Sequence, residues 1–291
     1  MGKDASLSDF ENWVAQVGRR LWRAFVGAYD DNAFGFAKGA AYSALLAFFP
    51  VLATLAAILV HANAAAVSRS ISNFLFEVVP PGTEELVVKN LLVVGARPMS
   101  LLVSATLLSA WAASGVMMSM MEGFHAAYRI PDTRSFLKKR GTAILLVFLA
   151  VLPAVGASAL MLAGQRAERS LLRWLGVLGL SQELHGWLAF LGFVVRYSIA
   201  FAAVVLVTAC LYSLGVQKHR PFRRVWPGAT VATVLWLAAT LIFSWYVRNI
   251  ANYNVMYGSV GAVIALLVWM FVLAVVALIG CEYNAEEERG G

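Results

Sequence analysis

The chain has 291 residues, of which 60% are hydrophobic and only 13% charged, and its mean hydropathy is +0.74. Soluble domains carry about 25% charged residues, so an ordinary water-soluble globule is excluded and the uncharged stretches decide the class. The excess of 23 Lys and Arg over 16 Asp and Glu fits either nucleic acid or basic loops at an anionic leaflet, and the placement of the charges separates the two.

The first residues, MGKDASLSDFENW, lack the apolar core of a cleavable signal peptide. The first hydrophobic run is therefore expected to stay as a membrane anchor. Residues 1–37 form a segment expected on the cytoplasmic side. Within it Phe10, Trp13, Val14, Val17, Leu21, Ala24, Phe25 and Ala28 share one arc at helical spacing, with Arg19, Arg20 and Arg23 opposite. This pattern predicts an amphipathic helix, lying on the membrane surface or docked on the bundle. Trp22 and Val26 interrupt its polar face.

About 20 apolar residues are needed to cross ~30 Å of hydrocarbon. Six stretches reach that length, within a membrane domain of residues 38–282. They are residues 40–60, a run between Arg97 and Glu122, a run between Arg140 and Arg166, and residues 187–215, 226–247 and 257–281. Pro50 falls inside the first and is expected to kink it. Residues 66–79 and 83–94 are too short to span and flank Pro80-Pro81-Gly82, so residues 66–95 read as a helical hairpin at the opposite leaflet. A third short amphipathic piece covers about 168–180. Gly35, Gly39 and Ser43, Gly228 and Ala232, and Gly258, Gly261 and Ala265 give the small-residue spacing of closely packed membrane helices. Residues 283–291 are left as a cytoplasmic tail. The fold class is thus all-α, a polytopic membrane protein of six transmembrane helices with amphipathic interfacial helices.

Counting Lys and Arg on alternate sides places 15 with the N-terminus and 7 opposite, leaving Arg196 inside a span. The basic side faces the cytoplasm, so both termini are expected there and the net charge of +7 reads as topology. Nucleic acid is not expected as a partner; membrane lipids are.

Arg196 lies nine residues into the fourth span, about 13 Å along a helix and near mid-membrane. It reads either as a positive point facing a polar cavity for an anionic headgroup or as a side chain snorkelling from a longer helix. Asn252, Tyr253, Asn254 and Tyr257 join the last two spans and read as a polar mouth or as a turn with an interfacial belt. Lys38, at the entry to the first span, completes the candidate substrate-binding residues. No catalytic residue, metal site or cofactor is expected. His61, His125, His185 and His219 are isolated, Cys210 and Cys281 sit in apolar runs, and no GxxxxGK[ST] loop is present.

Ala40-Ala41-Tyr42-Ser43, Trp111-Ala112-Ala113-Ser114-Gly115 and Arg134-Ser135-Phe136 resemble motifs of the YihY/BrkB family of bacterial inner-membrane proteins. So do Trp226-Pro227-Gly228-Ala229, Ala251-Asn252-Tyr253-Asn254, Tyr257-Gly258-Ser259 and Gly280-Cys281-Glu282-Tyr283-Asn284. The resemblance covers about residues 20–288. It departs at Cys281-Glu282-Tyr283-Asn284, where the family more often has Ala-Glu-Leu-Asn, and near Gly215-Val216, where a Pro-Asn step is missing. It implies a six-helix inner-membrane protein with cytoplasmic termini and a link by name to virulence. Members once carried a ribonuclease label, which finds no metal cluster in these residues. Moving envelope lipid has been suggested for a relative. The leading expectation is a transporter or flippase-like protein for an anionic amphipathic substrate such as an envelope lipid, with no nucleotide motor. The alternative is a non-transporting scaffold that binds envelope partners or lipid. A periplasm-dependent reporter should be active when fused near Lys89 and inactive when fused after Gly290; the reverse pattern would refute the charge-based orientation.

Overall fold

A computed structural model describes residues 2–61, 99–151, 186–217, 221–249 and 259–290. These residues form seven helices: α1 (Gly2–Asp30), α2 (Ala33–His61), α3 (Met99–Ala127), α4 (136–151), α5 (Gly186–Gly215), α6 (Phe222–Asn249) and α7 (Ser259–Gly290). Among the described residues there is no strand. Five of the helices, α2, α3, α5, α6 and α7, are long and apolar enough to cross a membrane. The third expected span begins as α4, and its continuation, the hairpin of residues 66–95 and the piece at 168–180 lie outside the described residues.

Lipid removes the hydrophobic drive between helices, so close backbone approach and interhelical hydrogen bonds must hold the bundle. The α2–α3 pair meets through interlocked small residues. Gly39 faces the Ser119 hydroxyl and Gly115 faces that of Ser43, leaving only about a hydroxyl's space at each point. Pro50 lies inside α2 without ending it. One turn on, the Thr54 hydroxyl donates to the Pro50 carbonyl at 2.9 Å and reaches Ser109 Oγ of α3 at 3.4 Å.

The α6–α7 crossing is tighter. A Cβ on Gly280 would stand 2.5 Å from the Ala232 methyl, 2.6 Å from the Gly228 carbonyl oxygen and 2.7 Å from the Tyr212 hydroxyl. Pro227 in the first turns of α6 has no N–H and crowds the carbonyl one turn back, loosening the helix there. The Asn284 amide fits into this opening: its Oδ1 accepts the Gly228 N–H at 2.6 Å and its Nδ2 donates to the Val225 carbonyl at 3.0 Å. Tyr212 of α5 adds a hydrogen bond to the Ala277 carbonyl at 2.6 Å and an edge-to-face contact with Phe124 at 5.2 Å. Tyr212, Phe124, Val225, Leu278 and Asn284 are all buried.

The last helix does not stop at Cys281. The expected tail continues α7 to Gly290, with Tyr283, Asn284 and Ala285 buried, because α1 packs beside it. Ala24, Gly27 and Ala28 of α1 face α7, where Gly27 leaves room for the Glu282 carboxylate. Glu282 accepts from Arg289, which also pairs with Glu286 at 2.9 Å. Asp31 links Arg289 at 3.9 Å to Arg129 at 3.3 Å. The α1 helix is thus docked on the bundle, and its apolar arc divides: Ala24 and Ala28 are buried, while Phe25 is exposed together with Trp22 and Val26.

Gly280→Ala should lower thermal stability in detergent by about 1–3 kcal/mol, because two of the three atoms it meets belong to rigid neighbours. Gly18→Ala, where a Cβ meets nothing within 4 Å, should be neutral or slightly stabilising. Equal effects at the two glycines would contradict the crossing.

Candidate functional site

The end of the bundle that carries the N-terminus is closed by a polar junction. Helix α3 ends with Arg129 in the left-handed region, φ 52°. The Ile130 N–H bonds the His125 carbonyl and the Arg129 N–H bonds that of Ala126, which satisfies the last carbonyls of the helix. Holding a non-glycine residue there costs about 1–2 kcal/mol, offset in part by the ion pair of Arg129 with Asp31. Buried His125 points Nδ1 at the Met121 carbonyl at 2.6 Å, and its Nε2 accepts the Gln217 N–H at 3.0 Å. That pattern requires the proton on Nδ1. Gln217 exchanges two hydrogen bonds with Thr133, and Arg134 donates to the Gly215 carbonyl at 3.2 Å. The loop between α3 and α4 is therefore pinned to the end of α5.

Lys139 joins Glu122 at 2.7 Å and Asp132 at 3.4 Å. Burial pulls the Asp132 carboxyl up, but the Arg134 N–H and the nearby Lys139 ammonium hold the pKa below its ordinary 3.8. Burial likewise opposes the Lys139 charge, and its bonds to Glu122 and Asp132 carry the pKa above 10.5. Arg140 lies over the Trp111 ring at 3.8 Å and donates to the Trp111 carbonyl at 2.9 Å. Arg129, Arg134 and Lys139 thus serve the junction.

Above the junction a cavity of about 430 Å³ opens among five helices. Met117 of α3, Ala150 of α4, Ala203, Val207 and Thr208 of α5, Ala232, Thr233 and Trp236 of α6, and Leu273 and Val276 of α7 contribute to its walls. One of the two readings of Arg196 calls for a polar cavity; the described walls of this one are apolar. Among the described residues no charged side chain lines it, and both threonine hydroxyls bond their own helices, Thr208 to the Val204 carbonyl at 2.9 Å and Thr233 to that of Ala229 at 2.8 Å. Its volume falls within the range of small-molecule sites. A second cavity of about 470 Å³ is walled by Arg223, Arg224, Pro227, Glu287 and Glu288, charges of both signs that give an anion no net attraction.

The sequence-predicted residues are not brought together among the described residues. Arg196 lies in α5 seven residues before Ala203, in register with that cavity-lining position and about 10.5 Å farther along the helix; its side chain lies outside the described set. Asn252, Tyr253, Asn254 and Tyr257 lie outside the described residues altogether. Lys38 is exposed on α2, a helix that supplies no wall to the cavity. The lining residues themselves escaped sequence reasoning, since Ala, Val and Leu in an apolar span carry no mark; Thr208 and Thr233 were the available signal. Among the described residues no group of three or more His, Cys, Asp or Glu is placed to hold a metal ion.

The family described as Virulence factor BrkB matches residues 24–290. The ribonuclease-like protein YfkH of Bacillus subtilis is 30% identical over 60% of this chain and 61% of its own length. A UPF0761 membrane protein of Chromohalobacter salexigens is 26% identical over 94% of this chain and 64% of its own. Another, of Xanthomonas campestris, is 26% identical over 92% and 59% respectively. The chain therefore spans less than two thirds of the length of these relatives. No solved structure matches it.

Replacing Asp132 by Asn should lower thermal stability at neutral pH by up to about 1.5–3 kcal/mol, the range for hydrogen bonds to a charged group. A depressed carboxyl pKa contributes stability above the unfolded value and loses it as pH falls through the folded value. The gap between wild type and variant should therefore hold at neutral pH and close only below 3.8. A gap that closes near pH ~6 would refute this assignment.

Proposed function

The chain belongs to the BrkB family of multi-pass membrane proteins, and from the cavity among its helices we propose that it binds an anionic amphipathic lipid and carries it between leaflets. The observation that carries this reading is the apolar wall shared by α3, α4, α5, α6 and α7. Such a wall suits an acyl chain and offers nothing to a hydrated ion or a sugar. Arg196, two turns away in the same register of α5, is assigned the headgroup phosphate, which a guanidinium can grip with two hydrogen bonds. Asn252, Tyr253, Asn254 and Tyr257 are assigned the mouth on the same side, and Lys38 stays outside this site.

The reading needs no catalytic group, metal or cofactor. It places the protein in the bacterial inner membrane with both termini cytoplasmic, on the strength of the basic residues that gather with the N-terminus. The pinned junction at that end and the tight α6–α7 crossing favour one alternative, a scaffold that holds lipid without moving it. Opening toward the cytoplasm would require the helices to part at these contacts.

Translocation of a fluorescent anionic lipid in proteoliposomes distinguishes the two. Arg196→Ala should slow it by about tenfold or more, the loss expected when a charge-assisted hydrogen bond goes, and Ala203→Trp should block the cavity. Unchanged rates in both variants would sink the transport reading. Binding without translocation in the wild type would establish the scaffold.

A further inference from the structure

The docked helix α1 keeps a second apolar face that the described residues of the bundle do not cover. Trp22, Phe25, Val26 and Tyr29 fall on one stripe at helical spacing, roughly opposite Ala24 and Ala28. Trp22 is 68% exposed and Tyr29 73%, values foreign to core aromatics. The stripe is not isolated. The Phe34 ring at the start of α2 lies edge-on to Phe25 at 6.2 Å and to Tyr29 at 6.4 Å. From Phe34 the same side of α2 continues through exposed Lys38 to Tyr42, Leu46 and Phe49, all exposed. On a helix long and apolar enough to span, that series is left uncovered by the described residues, as a lipid-facing side would be. The aromatic stripe of α1 is therefore continuous with the bilayer-facing side of the first span.

Charge sets the depth and the lipid class. Lys38 stands one turn beyond Phe34, where an ammonium on a lipid-facing side must lie at headgroup level. Arg19 and Arg23 flank the stripe on α1, both exposed, while Arg20 turns back to pair with Glu287 of α7 at 3.1 Å. Two guanidiniums and an ammonium thus border the aromatic rings, the composition of an interfacial helix on an acidic surface.

We propose that α1, while docked on α7 through Ala24, Gly27 and Ala28, forms a binding site for acidic phospholipid headgroups of the adjacent leaflet, with Trp22, Phe25 and Tyr29 in the acyl boundary and Arg19 and Arg23 on the phosphates. The site stands apart from the cavity and does not depend on translocation.

The test uses the full chain reconstituted in vesicles of phosphatidylcholine, alone or mixed with phosphatidylglycerol, with a fluorophore on a cysteine replacing Tyr29 and Cys210 replaced by Ala. Quenching by shallow nitroxide-labelled lipid, and protection from aqueous iodide, are expected. Lipid retained through detergent purification and identified by native mass spectrometry should be enriched in phosphatidylglycerol. Arg19→Ala with Arg23→Ala should cut that enrichment by about fivefold for each arginine removed, with the thermal stability of the bundle unchanged. Iodide quenching without nitroxide quenching would overturn the proposal. So would shielding from both quenchers accompanied by cross-linking of two copies through position 29, which would make the stripe a contact between chains. Enrichment that survives the double substitution would overturn the role of the arginines.

Discussion

The approach of α6 to α7 at Gly228 and Gly280 is the constraint on which the rest of the bundle depends. Two helix backbones can come this close only where neither carries a side chain, and the contact then places the Asn284 amide against the Val225 carbonyl and the Gly228 N–H. Pro227 stands beside the same contact, where its missing N–H deprives the Arg223 carbonyl of its helical donor and loosens the first turns of α6. In a medium where apolar surface has nothing to gain from leaving lipid, shape and a few satisfied polar groups have to do the holding. The motif Trp226-Pro227-Gly228 in one span and Gly280 to Asn284 in another are therefore the two halves of one contact.

That contact also shapes the space beside it. With α6 and α7 drawn together at Ala232 and Gly280, and Tyr212 of α5 bonded across to Ala277, the three helices are fixed at the junction end. The cavity is bounded there by Ala232, Thr233 and Ala277 and continues toward Trp236 and Leu273. Small residues do two jobs on these helices. Where they face each other they close the bundle, and where they face a gap, as Ala203 and Ala150 do, they leave it open.

The architecture was legible because the physics behind it is coarse. Twenty uncharged residues in a row have few places to be, and the helices follow the expected spans closely, with Met99–Ala127 filling the run between Arg97 and Glu122. The Gly228/Ala232 spacing correctly marked a close helix contact. It could not name the partner, because an i, i+4 pattern states what one surface is like and not which surface it meets. The fate of residues 283–290 was illegible for a related reason. Glu282, Asn284 and the glutamates that follow look like a polar tail, and only the docking of α1, with Gly27 opposite Glu282, turns that stretch into an interior.

The candidate site shows where sequence reasoning reaches its limit. Arg196, a charge inside an apolar span, reads from the sequence either as facing a polar cavity or as snorkelling to the interface. The cavity is instead made of the residues that raise no exception, and the two hydroxyls in its wall are turned onto their own backbones. A charge near an apolar hollow is a different recognition problem from a charge inside a polar one. Under the proposed lipid reading, Arg196 would hold the phosphate and the hollow would keep the acyl chain from water, the division an amphipathic molecule already has. The same division recurs on α1, where Arg19 and Arg23 border the aromatic stripe. In so apolar a chain the few charges are informative chiefly through the kind of surface each one borders.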